Sequence, residues 1–254
     1  MNRPMNRILA SAALLVICPC AGCGDALMSA SSSVPPNAQS VAPAQPEEAG
    51  KETVESVPRE PVPTPTEAAY ADDRIALVFP RSLGGLSFLG RKTYPQPGMG
   101  YSLRYENAGA DDARMMKMDI YVYDNGRPGI PTGHADSVIV AELACAGAAI
   151  RLCEQKGWYL DVKKLAEGVY PEASRKDSVG FRSSTYQFRQ SGSSGTTYLG
   201  PRVSETYVRG FKGHFIKVRI TYPEPSSESS VATRDEVMKQ LRALLAAACL
   251  ENAR

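Results

Sequence analysis

The chain has two histidines, His134 and His214, and these are the residues best suited to serve as a catalytic base. A hydrolase needs such a base beside its nucleophile, and Asp136 is close enough in sequence to orient His134. No nucleophile motif lies near either histidine, and the segment from Gly85 to Leu89 lacks the second glycine of a Gly-x-Ser-x-Gly elbow. We therefore predict no catalytic residue.

Residue spacings typical of metal sites and phosphate-binding loops are absent from residues 71–254. This part of the sequence contains neither a Cys-x-x-Cys pair nor a His-Glu-x-x-His helix. Gly84-Gly85 lacks the lysine partner that a phosphate-binding loop requires. We therefore expect no metal ion, no organic cofactor and no nucleic acid partner.

Aromatic and basic residues occur together on two segments that alternate in the manner of strands. Tyr121 and Tyr123 end one segment, and Lys217 and Arg219 lie in the other, just after Phe215. If both strands turn these residues to the same side of a sheet, they form a patch suited to sugars or anionic polymers, through stacking and charge-assisted hydrogen bonds. Alternatively, the basic side chains only shield the rings, or a helix covers this face.

The first 23 residues have the layout of an export signal. Arg3 and Arg7 precede an apolar run from Ile8 to Ile17, and small residues follow it. Ten residues of helix span about 15 Å, roughly half of the hydrocarbon core of a bilayer, so the run is too short to cross. An ordinary secretory signal cut near Ala21 and an uncleaved anchor are the alternatives that this layout leaves open.

The end of this segment, Ala21-Gly22-Cys23, resembles the lipobox of bacterial lipoproteins, although Cys20 replaces the usual apolar residue. The resemblance implies that residues 1–22 are removed as a signal peptide. It also implies that Cys23 takes a diacylglycerol and becomes the acylated, typically palmitoylated, first residue. Because Gly24 and not aspartate follows the cysteine, the resemblance implies the outer membrane, facing the periplasm, in a Gram-negative host.

The composition changes near residue 70. Residues 24–70 are rich in Ala, Pro, Ser, Val and Glu, lack apolar periodicity, and carry seven acidic and two basic residues. Such a segment cannot bury enough surface to offset its ordering entropy, so we predict that the lipidated N-terminus, residues 23–70, is a disordered stalk. Residues 71–254 carry 25 basic and 20 acidic residues and suit a single domain.

Seven strands and two helices are predicted in this domain. One helix begins after Asp136 and ends near Lys156, and the second begins at Thr233, where Glu236 completes a capping box. The order of elements predicts an α+β fold, a mostly antiparallel sheet covered by two main helices. The predicted strands are Ile75–Phe79, Tyr101–Glu106, Met116–Tyr123, Trp158–Val162, Val179–Arg189, Val203–Arg209 and His214–Tyr222.

This order of elements, over roughly residues 75–250, loosely resembles the PsbP and Mog1-like fold, which occurs in several bacterial lipoproteins. The resemblance rests on no diagnostic motif and implies no functional residue. Cys153 and Cys249 both lie near the last turns of predicted helices, which makes them the most plausible disulfide pair in an oxidising compartment. Three buried thiols, Cys145 included, are the alternative.

The sequence therefore predicts a membrane-tethered envelope lipoprotein that acts as a non-enzymatic binding or assembly module. Its expected partners are the membrane, through the lipid, and an envelope protein or an anionic polymer. An envelope-acting hydrolase and a small-ligand carrier are the alternative functions.

Overall fold

The computed structural model of the chain describes residues 68–107, 110, 114–171, 179–191, 198–224 and 226–251. The predicted signal peptide, Cys23 and all but the last three residues of the predicted stalk lie outside these ranges. No helix within them is long and apolar enough to cross a bilayer.

The described residues form ten strands and two helices. In chain order they are β1 (Ala68–Asp72), β2 (Leu77–Pro80), β3 (Ser82–Leu83), β4 (Leu86–Thr93), β5 (Tyr101–Glu106), β6 (Lys117–Tyr123), α1 (Ser137–Gln155), β7 (Tyr159–Tyr170), β8 (Phe181–Ser191), β9 (Tyr198–Phe211), β10 (His214–Pro223) and α2 (Glu228–Glu251).

Eight of these strands form one antiparallel sheet in the order β3-β4-β5-β6-β10-β9-β8-β7, while β1 and β2 form a separate antiparallel pair. Neighbours in the large sheet are also neighbours in sequence, except at the β6–β10 pair, where Ile120 lies opposite Val218. The prediction of an α+β fold with an antiparallel sheet and two main helices is confirmed.

The two helices pack on opposite faces of the sheet. The larger core lies on the α2 face, where Val237, Leu241 and Leu245 meet alternate residues of β5, β6 and β10, such as Ile120 and Val218. On the other face, α1 packs mainly on β7, β8 and β9. Its residues Ile139, Leu143 and Ile150 join two smaller clusters with Val208, Phe215, Tyr186 and Phe188.

Helix α1 begins where the sequence predicts. The side chain of Asp136 caps it, because Asp136 Oδ1 accepts a hydrogen bond of 2.8 Å from the backbone N–H of Val138. A two-residue turn joins β9 to β10, with Lys212 and Gly213 both at positive φ.

The start of α2 differs from the prediction. The helix begins at Glu228 and not at Thr233, because Ser227 Oγ accepts a hydrogen bond of 3.1 Å from the backbone N–H of Ser230. Glu236 therefore lies inside the helix, where it accepts a hydrogen bond of 2.8 Å from Gln240 Nε2. The cap at Ser227 therefore starts the helix upstream of the predicted capping box.

The first strand begins at Ala68, so ordered structure extends three residues into the predicted stalk. Tyr70 explains this extension, because its ring lies 5.0 Å from the ring centre of Tyr101 and stacks on Phe79 at 6.5 Å.

The disulfide predicted between Cys153 and Cys249 is wrong, since both are free thiols. Cys153 is buried in α1, on the face that carries Arg219, and its burial raises the pKa of the thiol. Cys249 lies in α2, near Arg209 on the opposite face. The sheet separates the two cysteines, whereas a disulfide needs Cα atoms within about 7 Å of each other.

Candidate ligand-binding face

Tyr121, Tyr123, Lys217 and Arg219, here called the aromatic–basic face, lie on one side of the sheet. β6 and β10 are direct neighbours, with Lys217 opposite Tyr121 and Arg219 opposite Asp119. Residues directly opposite in an antiparallel pair project to the same side. The register thus confirms that the two strands turn these residues to one side, which is also the side that α1 covers in part.

Tyr123 belongs to the core beneath α1. It is only 5% exposed, and its ring lies 5.3 Å from that of Phe215, which is also buried. The Tyr123 hydroxyl donates a hydrogen bond to the carboxylate of Glu142 on α1. Burial raises the pKa of Tyr123, and the charge of Glu142 raises it further, so the phenol is neutral and acts as a donor.

Glu142 also anchors Lys217. Its Oε1 atom accepts from Lys217 Nζ at 3.4 Å, and its Oε2 atom accepts from Asn125 Nδ2 at 3.2 Å. The Lys217 ammonium lies 4.7 Å from the ring centre of Tyr123 and 5.2 Å from that of Tyr121. With both carboxylate oxygens occupied, Glu142 is suited to hold Lys217 over the two rings and not to act as a base.

Arg219 is the half-buried cation of this face. Its Nε atom donates to Ser204 Oγ at 2.9 Å, and Nη2 donates to Tyr159 OH at 3.0 Å. Both partners are neutral hydroxyl groups, and no carboxylate of the described residues lies within 4.0 Å of the guanidinium. Since arginine stays protonated in proteins, Arg219 places a positive charge there without an ion-pair partner.

Asp119 lies between two arginines across the sheet, with Arg219 on one side and Arg104 on the other. Arg104 takes both of its oxygens, at 2.9 Å from Nε and 3.4 Å from Nη2. These two side chains are 26% and 16% exposed, so solvent reaches this part of the face. Asp119 is therefore engaged by Arg104, and Arg219, which lies opposite it on β10, leaves the row Arg104–Asp119–Arg219 with a net positive charge.

Tyr121 of β6 completes the face, between Lys217 on β10 and Ser102 on β5. Burial raises the pKa of Tyr121 well above its usual value, and nearby Asp119 raises it further, so the phenol is neutral at physiological pH. Its ring is half-buried and lies beside cations, which suits stacking on a sugar ring. The face can therefore combine an aromatic surface with cationic donors.

The two histidines do not lie on this face. His214 Nδ1 contacts Lys212 O at 2.9 Å, and its Nε2 atom lies 4.0 Å from Asp124. His134 lies near Arg182 and Arg209, while Asp136 is engaged as the helix cap. Within the described ranges, no three His, Cys, Asp or Glu side chains are placed to hold a metal ion together.

No protein-family model matches this chain, and no curated protein matches its sequence.

Sequence reasoning missed three residues that shape the face. Glu142 was hidden in the apolar pattern of α1, although it is the single acidic residue in the first four turns of that helix. The alternating pattern of β6 marks Asp119 only as a polar residue, since its partner Arg104 lies on another strand. Tyr159 lies on β7, which is irregular there, with its register shifting between Leu160 and Lys163.

Proposed function

We propose that this protein is a lipid-anchored envelope protein, held on the periplasmic side of the outer membrane, that acts as a non-enzymatic binding module. The short export signal, the Ala21-Gly22-Cys23 sequence and the Pro-rich, acidic residues that follow support the anchor. Triple acylation at Cys23 makes attachment effectively permanent, since each buried methylene contributes about 0.8 kcal/mol.

The proposed ligand is an anionic glycan of the envelope, bound on the aromatic–basic face. The observation that carries this proposal is Arg219, a half-buried guanidinium whose hydrogen-bond partners are hydroxyl groups. Arg219 lies next to the rings of Tyr121 and Tyr159, with its guanidinium carbon 5.7 Å from the ring centre of Tyr159. A sugar that stacks on the rings and places a carboxylate on Arg219 satisfies both features.

A calorimetric titration of the purified full chain with soluble peptidoglycan fragments, at physiological salt, tests this ligand. Arg219→Gln removes the charge and should weaken binding about 10-fold or more, because a hydrogen bond to a charged group contributes about 1.5–3 kcal/mol. Arg151→Gln, on the exposed side of α1, is the matched control and should bind like the wild type. Far-UV circular dichroism verifies that both variants fold.

Two results would reject the ligand proposal. One is the absence of binding heat for the wild-type chain at physiological salt. The other is equal affinity of the Arg219→Gln and Arg151→Gln variants, which would place any binding away from this face.

The anchor is tested separately by membrane fractionation of cells that produce Cys23→Ser. This change removes the acylated thiol, so we expect the protein to move from the membrane fraction to the soluble periplasmic fraction. Retention of Cys23→Ser on the membranes would contradict lipid attachment at this residue. Neither result depends on the ligand.

A further inference from the structure

The loop after β4 brings one more tyrosine to the side of the sheet that carries the aromatic–basic face. Tyr94 directly follows β4, and its backbone N–H donates to Gly100 O at 3.0 Å. Its hydroxyl shares a hydrogen bond of 2.9 Å with Ser102 Oγ on β5. Because Ser102 lies directly opposite Tyr121 on β6, the Tyr94 hydroxyl lies on the same side of the sheet as Tyr121.

Tyr94 borders the same charges as Tyr121. Burial raises the pKa of the Tyr94 hydroxyl, and nearby Asp119 raises it further, while Arg104 acts in the opposite direction. Asp119 and Arg104 also act on Tyr121. Both phenols are therefore neutral at physiological pH and lie beside one ion pair, so Tyr94 presents an uncharged ring to a ligand.

A lysine accompanies Tyr94 in the way that Lys217 accompanies Tyr121. Lys92 Nζ lies 5.3 Å from the ring centre of Tyr94, and Lys217 Nζ lies 5.2 Å from that of Tyr121. Each ammonium is close enough to a ring for a cation–π contact. The combination of a tyrosine ring and an ammonium group therefore occurs twice on this side of the sheet.

The two combinations belong to one row of residues across four strands. Lys92 on β4 lies opposite Ser102 on β5, which in turn lies opposite Tyr121 on β6. Lys217 on β10 continues the row opposite Tyr121. Neighbouring strands lie about 4.8 Å apart, so three spacings separate the two lysine backbones by about 14 Å. A single sugar ring is too small to contact both ends of this row.

The β4 end of the row is open to solvent. Helix α1 packs mainly on β7, β8 and β9, which lie at the other end of the sheet. Lys92 is exposed, Tyr94 is half-buried, and Arg104 between them and β6 is 26% exposed. A ligand on Tyr121 can therefore continue over β5 towards Tyr94 without displacing α1.

We propose that Lys92 and Tyr94, here called the Tyr94 subsite, bind a second sugar unit of a glycan whose first unit lies on Tyr121 and Arg219. This inference rests on the function proposed above, and it makes the ligand a chain of sugars and not a single terminal sugar. The Tyr94 ring provides the second stacking surface, and Lys92 provides a cationic donor for an acidic group of the chain.

A purely structural role for Tyr94 predicts a different behaviour. In that role the ring only closes the loop between β4 and β5, and its removal lowers stability without any effect that depends on ligand length. A smaller folded fraction weakens the binding of short and long fragments alike. The ratio of the two affinities therefore distinguishes the two roles.

The test is a calorimetric titration of the purified full chain, at physiological salt, with peptidoglycan fragments of one and of two disaccharide units that carry identical peptide stems. The wild type should bind the longer fragment about 10-fold more tightly, because a second stacked sugar buries further apolar surface. Tyr94→Ala should remove this preference and leave the affinity for the shorter fragment within about twofold, since Tyr121 and Arg219 are retained. Tyr94→Phe keeps the ring and should keep the preference.

Lys92→Gln tests the same subsite at an exposed position, where the substitution does not disturb packing. It should weaken the binding of the longer fragment about two- to fivefold, as expected for one exposed ion pair, and leave the shorter fragment unaffected. Lys163→Gln, exposed on β7, is the matched control and should bind both fragments like the wild type.

Failure of the Tyr94 subsite is distinguishable from failure of the proposed ligand. The subsite is overturned if the wild type binds both fragments equally, if Tyr94→Ala retains the preference, or if Tyr94→Phe loses it. Equal binding of the longer fragment by Lys92→Gln and Lys163→Gln overturns it as well. In each of these cases, weaker binding of both fragments by Arg219→Gln would still support the glycan ligand. Absence of binding heat for both fragments would reject that ligand and the subsite together.

Discussion

At the scale of single residues, the α1 face shows how this protein keeps charges inside. Glu142 is only 7% exposed and accepts from Tyr123, Asn125 and Lys217. A buried carboxylate is tolerated when its oxygens accept hydrogen bonds in this way. Removing one member of a buried ion pair, however, leaves the charge of the other member uncompensated. Glu142 is therefore a residue whose removal should be costly even though it is not part of the apolar core.

Glu142→Gln keeps the shape of the side chain and removes its charge, so Lys217 loses its carboxylate while it remains only 19% exposed. We expect the free energy of unfolding to fall by about 2 kcal/mol, somewhat less than for a fully buried pair. Equilibrium unfolding in urea measures this loss. Glu167→Gln, which breaks an exposed pair with Lys164 on β7, should cost less than about 0.5 kcal/mol. Equal costs for both variants would contradict this account.

At the scale of elements, the alternating patterns were the most informative part of the sequence. The predicted strand His214–Tyr222 matches β10 within one residue, and the helix after Asp136 matches α1 equally well. Both have a regular period and a clear end. By contrast, β4 was missed because Ser87, Gly90 and two basic residues interrupt its apolar positions, and its pairing is irregular between Phe88 and Gly90.

The candidate site was predictable only in its strand residues. Tyr121 and Lys217 were recognised because each lies on a strongly alternating strand, and the antiparallel sheet then brought them together. The coverage of Tyr123 by α1 was not predictable, because it depends on which face the helix packs against.

Helix α1 contains one glycine that the packing requires. Gly147 is buried, and a Cβ atom there would lie 2.4 Å from Tyr186 Oη, on a side chain that is only 4% exposed. Glycine inside a helix costs roughly 1 kcal/mol relative to alanine, so the close approach to β8 explains its presence. Gly147 sets how near α1 can lie to the sheet.

Gly147→Ala should lower the free energy of unfolding by about 1–3 kcal/mol, because the added methyl group overpacks the contact with Tyr186 and outweighs the gain in helix propensity. Removing the hydroxyl in the double variant Gly147→Ala/Tyr186→Phe should restore most of this loss. Urea unfolding of the two single variants and the double variant measures the coupling. An additive double variant would show that the hydroxyl is not the obstacle.

At the scale of the whole molecule, the sheet consists of two runs of strands that meet at one pair. β3 to β6 are consecutive in the chain, as are β7 to β10, and the two runs join where β6 lies beside β10. Helix α2 follows the second run in sequence, yet it contacts β3 of the first run and β2 of the separate β1–β2 pair. The seam and α2 should therefore make the two halves unfold together, although each run is local in sequence.

Ile120→Ala tests this coupling at the seam, because Ile120 is fully buried opposite Val218. The cavity should reduce the free energy of unfolding by about 2–5 kcal/mol. Trp158, the single tryptophan of the chain, lies directly before β7 at the far edge of the other half. If the halves are coupled, the unfolding transition seen by Trp158 fluorescence and the one seen by far-UV circular dichroism of the whole chain should both shift to the same urea midpoint, lower than in the wild type. Leu165→Ala, an exposed position on β7, should leave both midpoints nearly unchanged. A Trp158 transition that stays at the wild-type midpoint in Ile120→Ala would mean that the two halves unfold independently.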